Sequence, residues 1–171
     1  LIELAYGNIL DIGSCTGYYI PYLAEKGTAI GIDISDRIIA YAHKRGIHNC
    51  VYGDIFHYKF NTTFDTITLI GNDIALTGTL FNLKRLLKRF YRLLNPGGQI
   101  LAITRHIAPL KYWHVVYVPE YEGKIGPPLK CLFINVNYFM NLSRKYGFTP
   151  EIITSNDDEN FLLYFVRLIK N

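Results

Sequence analysis

Residues 8–17, Asn-Ile-Leu-Asp-Ile-Gly-Ser-Cys-Thr-Gly, constrain this chain more than any other stretch. A short β-prone run, 9–12, passes without a linker into Gly13, Cys15 and Gly17, and a helix-like segment follows at once. The pattern predicts a strand feeding a tight glycine turn. Such a turn lets a ligand approach the backbone and aims the next helix's free N–H groups and positive dipole end at it. A polar ligand is expected there.

The position of the acids relative to the glycines separates the candidate ligands. A dinucleotide turn reads Gly-x-Gly-x-x-Gly, and here Cys15 and Tyr18 stand at its second and third glycine positions. Asp11 instead precedes the first glycine, giving Asp-x-Gly-x-x-x-Gly, and Asp33 closes the next apolar run, 28–32. Two strand-end carboxylates are expected to face one crevice.

This arrangement resembles the class I S-adenosylmethionine-dependent methyltransferases, whose first motif is Asp/Glu-x-Gly-x-Gly-x-Gly. The resemblance implies S-adenosylmethionine as cofactor. It implies a loop of Gly13, Ser14, Cys15 and Gly17, entered through Asp11, under the methionine part, and Asp33, with Ile34 beside it, at the ribose hydroxyls. Cys15 departs from the motif's middle glycine. A β-region backbone accommodates a side chain there, whereas a positive φ strains it.

Downstream, strand and helix patterns alternate with short connections. A helix over 18–26 carries Pro21 in its first turn and ends on Gly27 in a left-handed cap, and Ser35 caps a helix that runs to Arg45 and stops at Gly46. A strand over 50–52 delivers Gly53 and Asp54. The resemblance implies that Asp54 meets the adenine amino group and the Ile55 N–H a ring nitrogen; a turn aspartate capping its own backbone is the alternative. A fourth strand, 64–70, ends in Gly71, Asn72 and Asp73. Gly71 and Asn72 are implied cofactor contacts, while Asn72 and Asp73 could also touch substrate or cap the next helix.

The long helix begins at Thr77 or Thr79 and runs to about Leu94. Its apolar stripe opposes Lys84, Arg85, Lys88, Arg89 and Arg92, read as a solvated face. Leu94-Asn95-Pro96-Gly97-Gly98-Gln99-Ile100 then supplies a helix stop, a turn with φ > 0 and a fifth strand over 99–104. This is a second point of resemblance, so the match spans most of 9–104.

Residues 105–134 leave the family core and are read as a substrate-side insertion, a ribbon rich in aromatics and turned by Gly126-Pro127-Pro128. His106 and Tyr112 are the candidate catalytic bases. Asn135 caps a helix over 136–146 stopped by Gly147, and strands over 151–154 and 161–169 flank a polar turn, 155–160. The expected fold is α/β, a three-layer sandwich whose mostly parallel seven-stranded sheet ends in an antiparallel β-hairpin, all within one domain over 1–171.

Half of the 171 residues are hydrophobic, enough for one sizeable core, and no apolar run approaches a membrane span. Three distant cysteines write neither a disulfide framework nor a metal site, so a reducing, cytoplasmic setting is expected. The net charge of +4 is mild, and no aromatics are read on the same face as the bases, so a nucleic-acid partner is not expected. The segment 1–6 reads as a helix tail, and the helices that precede the first motif in the family have no counterpart in it, as in a fragment or an uncovered site. The function read from the chain is methyl transfer to a small-molecule N or O nucleophile. The rivals are a cofactor-binding but catalytically silent partner subunit and, more distantly, an RNA methyltransferase. Oligomeric state is left open.

Overall fold

The computed structural model describes residues 1–71, 73–105, 109–158 and 161–171. In chain order its elements are β1 (Gly7–Ile12), α1 (Ile20–Ala24), β2 (Gly27–Asp33), α2 (Asp36–Lys44), β3 (Cys50–Tyr52), β4 (Phe64–Leu69), α3 (Leu80–Leu93) and β5 (Leu94–Arg105). There follow β6 (Tyr112–Tyr117), β7 (Glu120–Tyr121), β8 (Lys124–Ile125), β9 (Leu129–Ile134), α4 (Val136–Arg144), β10 (Phe148–Asp158) and β11 (Phe161–Lys170). Short 3₁₀ turns occupy Ile2–Leu4 and Asp73–Thr77.

Among the described residues, seven strands form one sheet in the order β10-β11-β5-β4-β1-β2-β3. The pairs β1–β2, β2–β3, β1–β4 and β4–β5 are parallel, and β5–β11 and β11–β10 are antiparallel. The expected α/β sandwich with its closing hairpin is therefore present. Strand order reverses between β1 and β4, and there the C-terminal strand ends leave a crevice.

Alternation along the strands builds two cores. Leu10, Ile12, Ile32, Ile67 and Leu69 bury one face under α3 and α4, through Leu83, Leu86, Leu87, Phe90, Phe139 and Met140. Ile9, Ala29 and Leu101 bury the other under Leu23 of α1 and the N-terminal turn. Each fully buried Leu or Phe of the α3 stripe contributes roughly 1.5–3 kcal/mol. Side-chain caps begin the helices as expected: Ser35 Oγ accepts from the Ile38 N–H at 3.4 Å, Thr79 Oγ1 from Asn82 at 3.1 Å, and Asn135 Oδ1 from Asn137 at 3.0 Å. Gly46 and Gly147 stop α2 and α4 at φ of 84° and 87°, and Gly97, in the first residues of β5, stands at 74°.

Several expectations are corrected. The first helix is five residues long, because turns continue from the glycine loop through Tyr19 and Pro21 enters at its first turn. Gly27 is no helix cap: it opens β2 and pairs with Gly7. A Cβ on Gly27 would lie 2.0 Å from the Gly7 carbonyl oxygen, so the position answers to strand packing and not to a left-handed turn. In 105–134 the chain reverses at Glu122 and Gly123, with φ of 48° and 74°, and not at Gly126-Pro127-Pro128. There β6 pairs antiparallel with β9, and β7 with β8. β10 continues through the stretch read as a polar turn, since Ser155 and Asn156 pair with Tyr164 and Leu163. The basic face of α3 is only partly solvated: Arg89 donates to the carbonyl oxygens of Ile55 (3.3 Å) and Tyr58, clamping the turn after β3. No helix among the described residues is long and apolar enough to cross a membrane.

Gly27→Ala is expected to cost several kcal/mol or prevent folding, because the obstructing atom is backbone and cannot swing away. Thr79→Ala, which removes only a cap, should cost about 1 kcal/mol. Urea denaturation of both variants checks the contrast, and similar losses would refute the close-packing account.

Candidate functional site

Two cavities open on the rim where β1, β2 and β4 end. The first, about 240 Å³, lies between the ends of β1 to β3, the turn after β4 and the middle of α3, and its walls include Asp33, Ile34, Asp54, Ile55, Phe56 and Leu86. The second, about 220 Å³, lies over the glycine loop and includes Asp11, Ser14, Cys15, Tyr18, Tyr19 and Gly71. They meet at Ile12, Gly13 and Asp73, which line both. Together they are large enough for a small organic ligand.

The three acids singled out from the sequence thus fall on one crevice but not in one cavity: Asp33 and Asp54 border the first, Asp11 the second. Asp33 is the tie between loops. Its Oδ2 accepts the Cys15 N–H at 3.0 Å and its Oδ1 the Ser35 N–H at 2.9 Å. Asp54 does what the alternative reading held: Oδ1 accepts from the Phe56 N–H at 2.9 Å, and Oδ2 lies 2.8 Å from His57 Nδ1. It nonetheless faces the cavity, and carboxylate oxygens keep lone pairs beyond those bonds.

Cys15 takes the strained alternative. Its φ is +50°, in the left-handed region, and the Asp33 bond holds its backbone there. A side chain in this conformation costs about 1–2 kcal/mol relative to a relaxed one. Gly17, also at positive φ, lines neither cavity. A Cβ on Gly17 would stand 2.8 Å from Ile47 Cγ2, so its lack of a side chain lets the loop pack backward and not against a ligand. Gly31 of β2 plays the matching part, since its Cβ would meet Ser14 at 2.5 Å. The sequence reading missed Gly31, although a lone glycine within an apolar strand signals such an approach.

α1 begins only at Ile20, with its N-cap Tyr19 lining the second cavity, and N–H groups on either side of that cap are already engaged within the turn. The Gly17 N–H is spent on Ser14 O at 2.8 Å, and the Ile20 N–H on Gly17 O at 3.1 Å. Tyr112 lines neither cavity; its ring packs near Tyr138 and His114 at 6.2 and 5.6 Å. His106 and Asn72 lie outside the described residues. Among those described, no cluster of three His, Cys, Asp or Glu side chains could hold a metal ion.

Asp73, which the sequence leaves as a substrate contact or a helix cap, is the acid at the joint. Its Oδ2 accepts the Gly71 N–H at 2.9 Å. Burial pushes its carboxyl up to about 6, with the Gly71 bond opposing and the Asp33 charge adding to the rise. Asp11, 2% exposed, is pushed up to about 7 by burial, although Thr68 Oγ1 donates to its Oδ1 at 2.6 Å. Nearby Asp73 raises it further.

An acid whose folded pKa is raised keeps its proton better in the native state. Its contribution to stability is whole below the unfolded pKa and is lost as pH rises through the folded one. For Asp11 that window runs from about 4 to about 7. In the ligand-free protein Asp11→Asn is expected to flatten the fall in stability across this window and to be more stable than the unsubstituted chain at pH 8, by about 1–3 kcal/mol. Urea midpoints at pH 5 and pH 8 check this, and parallel curves would refute it.

The crevice, the sheet order and the acids can now be set beside known proteins. A family model described as a methyltransferase domain matches residues 9–98. No curated protein sequence matches the chain. Among solved structures, a SAM-dependent methyltransferase from Bacteroides fragilis in complex with S-adenosyl-L-homocysteine is 25% identical, with a TM-score of 0.86 over 99% of this chain and 75% of that one. A SAM-dependent methyltransferase from Methanosarcina mazei is 17% identical, with a TM-score of 0.76 over 95% of this chain and 92% of that one. The glycopeptide N-methyltransferase MtfA is 15% identical, with a TM-score of 0.69 over 96% and 83% of the two chains. The family match extends over more than half of the chain, so this protein belongs to the methyltransferase domain family and is a class I, S-adenosylmethionine-dependent methyltransferase.

Proposed function

We propose that the chain transfers a methyl group from S-adenosylmethionine to a nitrogen or oxygen of a small molecule. The observation that carries this reading is the continuity of the two cavities through Gly13 and Asp73, with one half bordered by strand-end acids and the other by the glycine loop. In this reading the first cavity takes the nucleoside: Asp33 turns its remaining lone pairs to the ribose hydroxyls, Asp54 and Ile55 meet the adenine edge, and Phe56 and Leu86 supply apolar walls. Asp11, Gly13, Ser14, Cys15 and Gly71 surround the methionine end in the second. The similar Bacteroides fragilis protein was crystallised with S-adenosyl-L-homocysteine, the demethylated form of that cofactor, which supports the reading.

When bound, S-adenosylmethionine brings a methyl group on a sulfonium that is its own leaving group. The chain's residues have only to hold an acceptor lone pair in line and to keep water out. The ribbon of β6 and β9 packs Cys131, Phe133 and Val115 on Ala75, in the turn after β4, and in this reading it walls the acceptor side. For an acceptor that must lose a proton we assign the base to His106, next in sequence after β5; Tyr112, packed away from both cavities, is the second candidate. A small acceptor is favoured over RNA because acids border both cavities and Arg89 of the α3 bases is engaged in clamping a turn.

Equilibrium dialysis with S-adenosylmethionine, followed by mass-shift screening of amine, carboxylate and phenol pools, tests the proposal. Binding and methylation of at least one pool are expected; binding without methylation of any would favour the catalytically silent reading. Asp33→Ala should weaken cofactor binding about tenfold or more, since it removes the hydroxyl acceptor and frees the Cys15 turn. Cys15→Gly should keep or tighten binding in a calorimetric titration, and a large loss would show that the loop has been misread.

A further inference from the structure

The acceptor class can be narrowed, on the methyl-transfer reading just given. Asp73 is, among the described residues, the charged side chain common to both cavities. A Cβ on Gly13 would come within 3.1 Å of its Oδ1, and its Oδ2 is bonded to the Gly71 N–H, so the carboxylate lies between the glycine loop and the exit of β4. The joint of a nucleoside cavity and a methionine cavity is where the sulfonium and its methyl group come to rest. Asp33 borders one side of that joint and Asp11 the other, and no Lys, Arg or His is among the described residues lining either cavity.

We propose that Asp73 selects the methyl acceptor, accepting a hydrogen bond from an amine N–H at this joint and turning away carboxylates and phenolates. The charge balance of the step supports the choice. An amine lone pair forms the N–C bond as the C–S bond breaks, the C–S electron pair stays on sulfur, and the positive charge moves from sulfur to nitrogen. The methylated ammonium then gives a proton to water. The charge beside Asp73 is therefore conserved through the transfer, and the carboxylate stabilises both its ends. An anionic acceptor would instead bring another negative charge against Asp73, Asp33 and Asp11 in a poorly hydrated site, where like charges repel strongly. Burial already holds the Asp73 carboxyl near 6, and a cation at the joint supplies the compensation it lacks.

The test uses the full chain and two ligands. Sinefungin carries a protonated amine where the transferable methyl stands, whereas S-adenosylhomocysteine has a neutral sulfur there. Calorimetry is expected to show sinefungin bound about tenfold or more tightly than S-adenosylhomocysteine, and Asp73→Asn to bring the ratio within about threefold of one, with Asp73→Glu restoring part of it. Thermal unfolding establishes that the variants are folded. In the acceptor pools, amines should be methylated in preference to carboxylates and phenols, and Asp73→Asn should lower kcat/KM for amines about tenfold or more. An unchanged ligand ratio in Asp73→Asn, or a wild-type preference for anionic acceptors, overturns the proposal. If both ligands bind and no pool is methylated, the methyl-transfer reading fails, while the sinefungin ratio still decides whether Asp73 faces a cation.

Discussion

The parallel pairing of β1 with β2 on one side and β4 on the other determines where everything else in this molecule can go. Held in that register, Asp11 stands opposite Thr68 of β4, which donates to it, while Leu10 and Ile12 point into the core on the other face. A slip by one residue would exchange these faces, burying a carboxylate among Leu and Phe and leaving Thr68 without its acceptor. The chain leaving β1 must then pass directly over β2. It can do so because Gly31 leaves room for Ser14, and because Asp33 at the end of β2 receives the Cys15 N–H. The ligand crevice is a consequence of strand pairing before it is a consequence of any motif.

The same crevice is built against local stability. Asp11 is buried and Asp73 half-buried, each with few donors, and both hold their protons well above the usual carboxylate range. Cys15 sits at positive φ with a side chain, where glycine would be relaxed. Strain and uncompensated charge that gather at one place, while the cores on both sheet faces are apolar and closely packed, mark a functional site. Cationic ligands are the natural counterparts of such a field, and S-adenosylmethionine carries two positive centres.

Beyond the parallel core the chain spends its residues on coverage. The β6–β9 ribbon buries Cys131 and Phe133 toward the turn after β4 and leaves its far end, including Tyr121 and Ile125, exposed. The α3 bases divide their work: Arg89 ties down the turn that carries Asp54, and Arg85 lies over the Phe56 ring at 4.6 Å, beside the first cavity. Charges read as a solvated face thus help to shape a cavity wall. Their side chains are long enough to reach neighbouring loops, and sequence periodicity does not record which loops come near.

Patterns whose cause is local were legible in the chain itself. The caps at Ser35, Thr79 and Asn135, the stops at Gly46 and Gly147, the strand over 50–52 and the alternation that makes a parallel sheet all follow from dihedral preferences and side-chain periodicity within a few residues. The Asp-x-Gly signal and the strand-end acids likewise point to the rim. What only the tertiary structure decided depends on atoms distant in sequence. Gly27 faces Gly7 and is no helix cap, Gly17 makes room for Ile47, Asp54 spends one oxygen on its own turn, and Asp73 stands where two cavities join. A glycine looks the same in a sequence whether it is needed for φ or for space, and an aspartate looks the same whether it caps a turn or faces a ligand; the neighbours brought by strand order settle which.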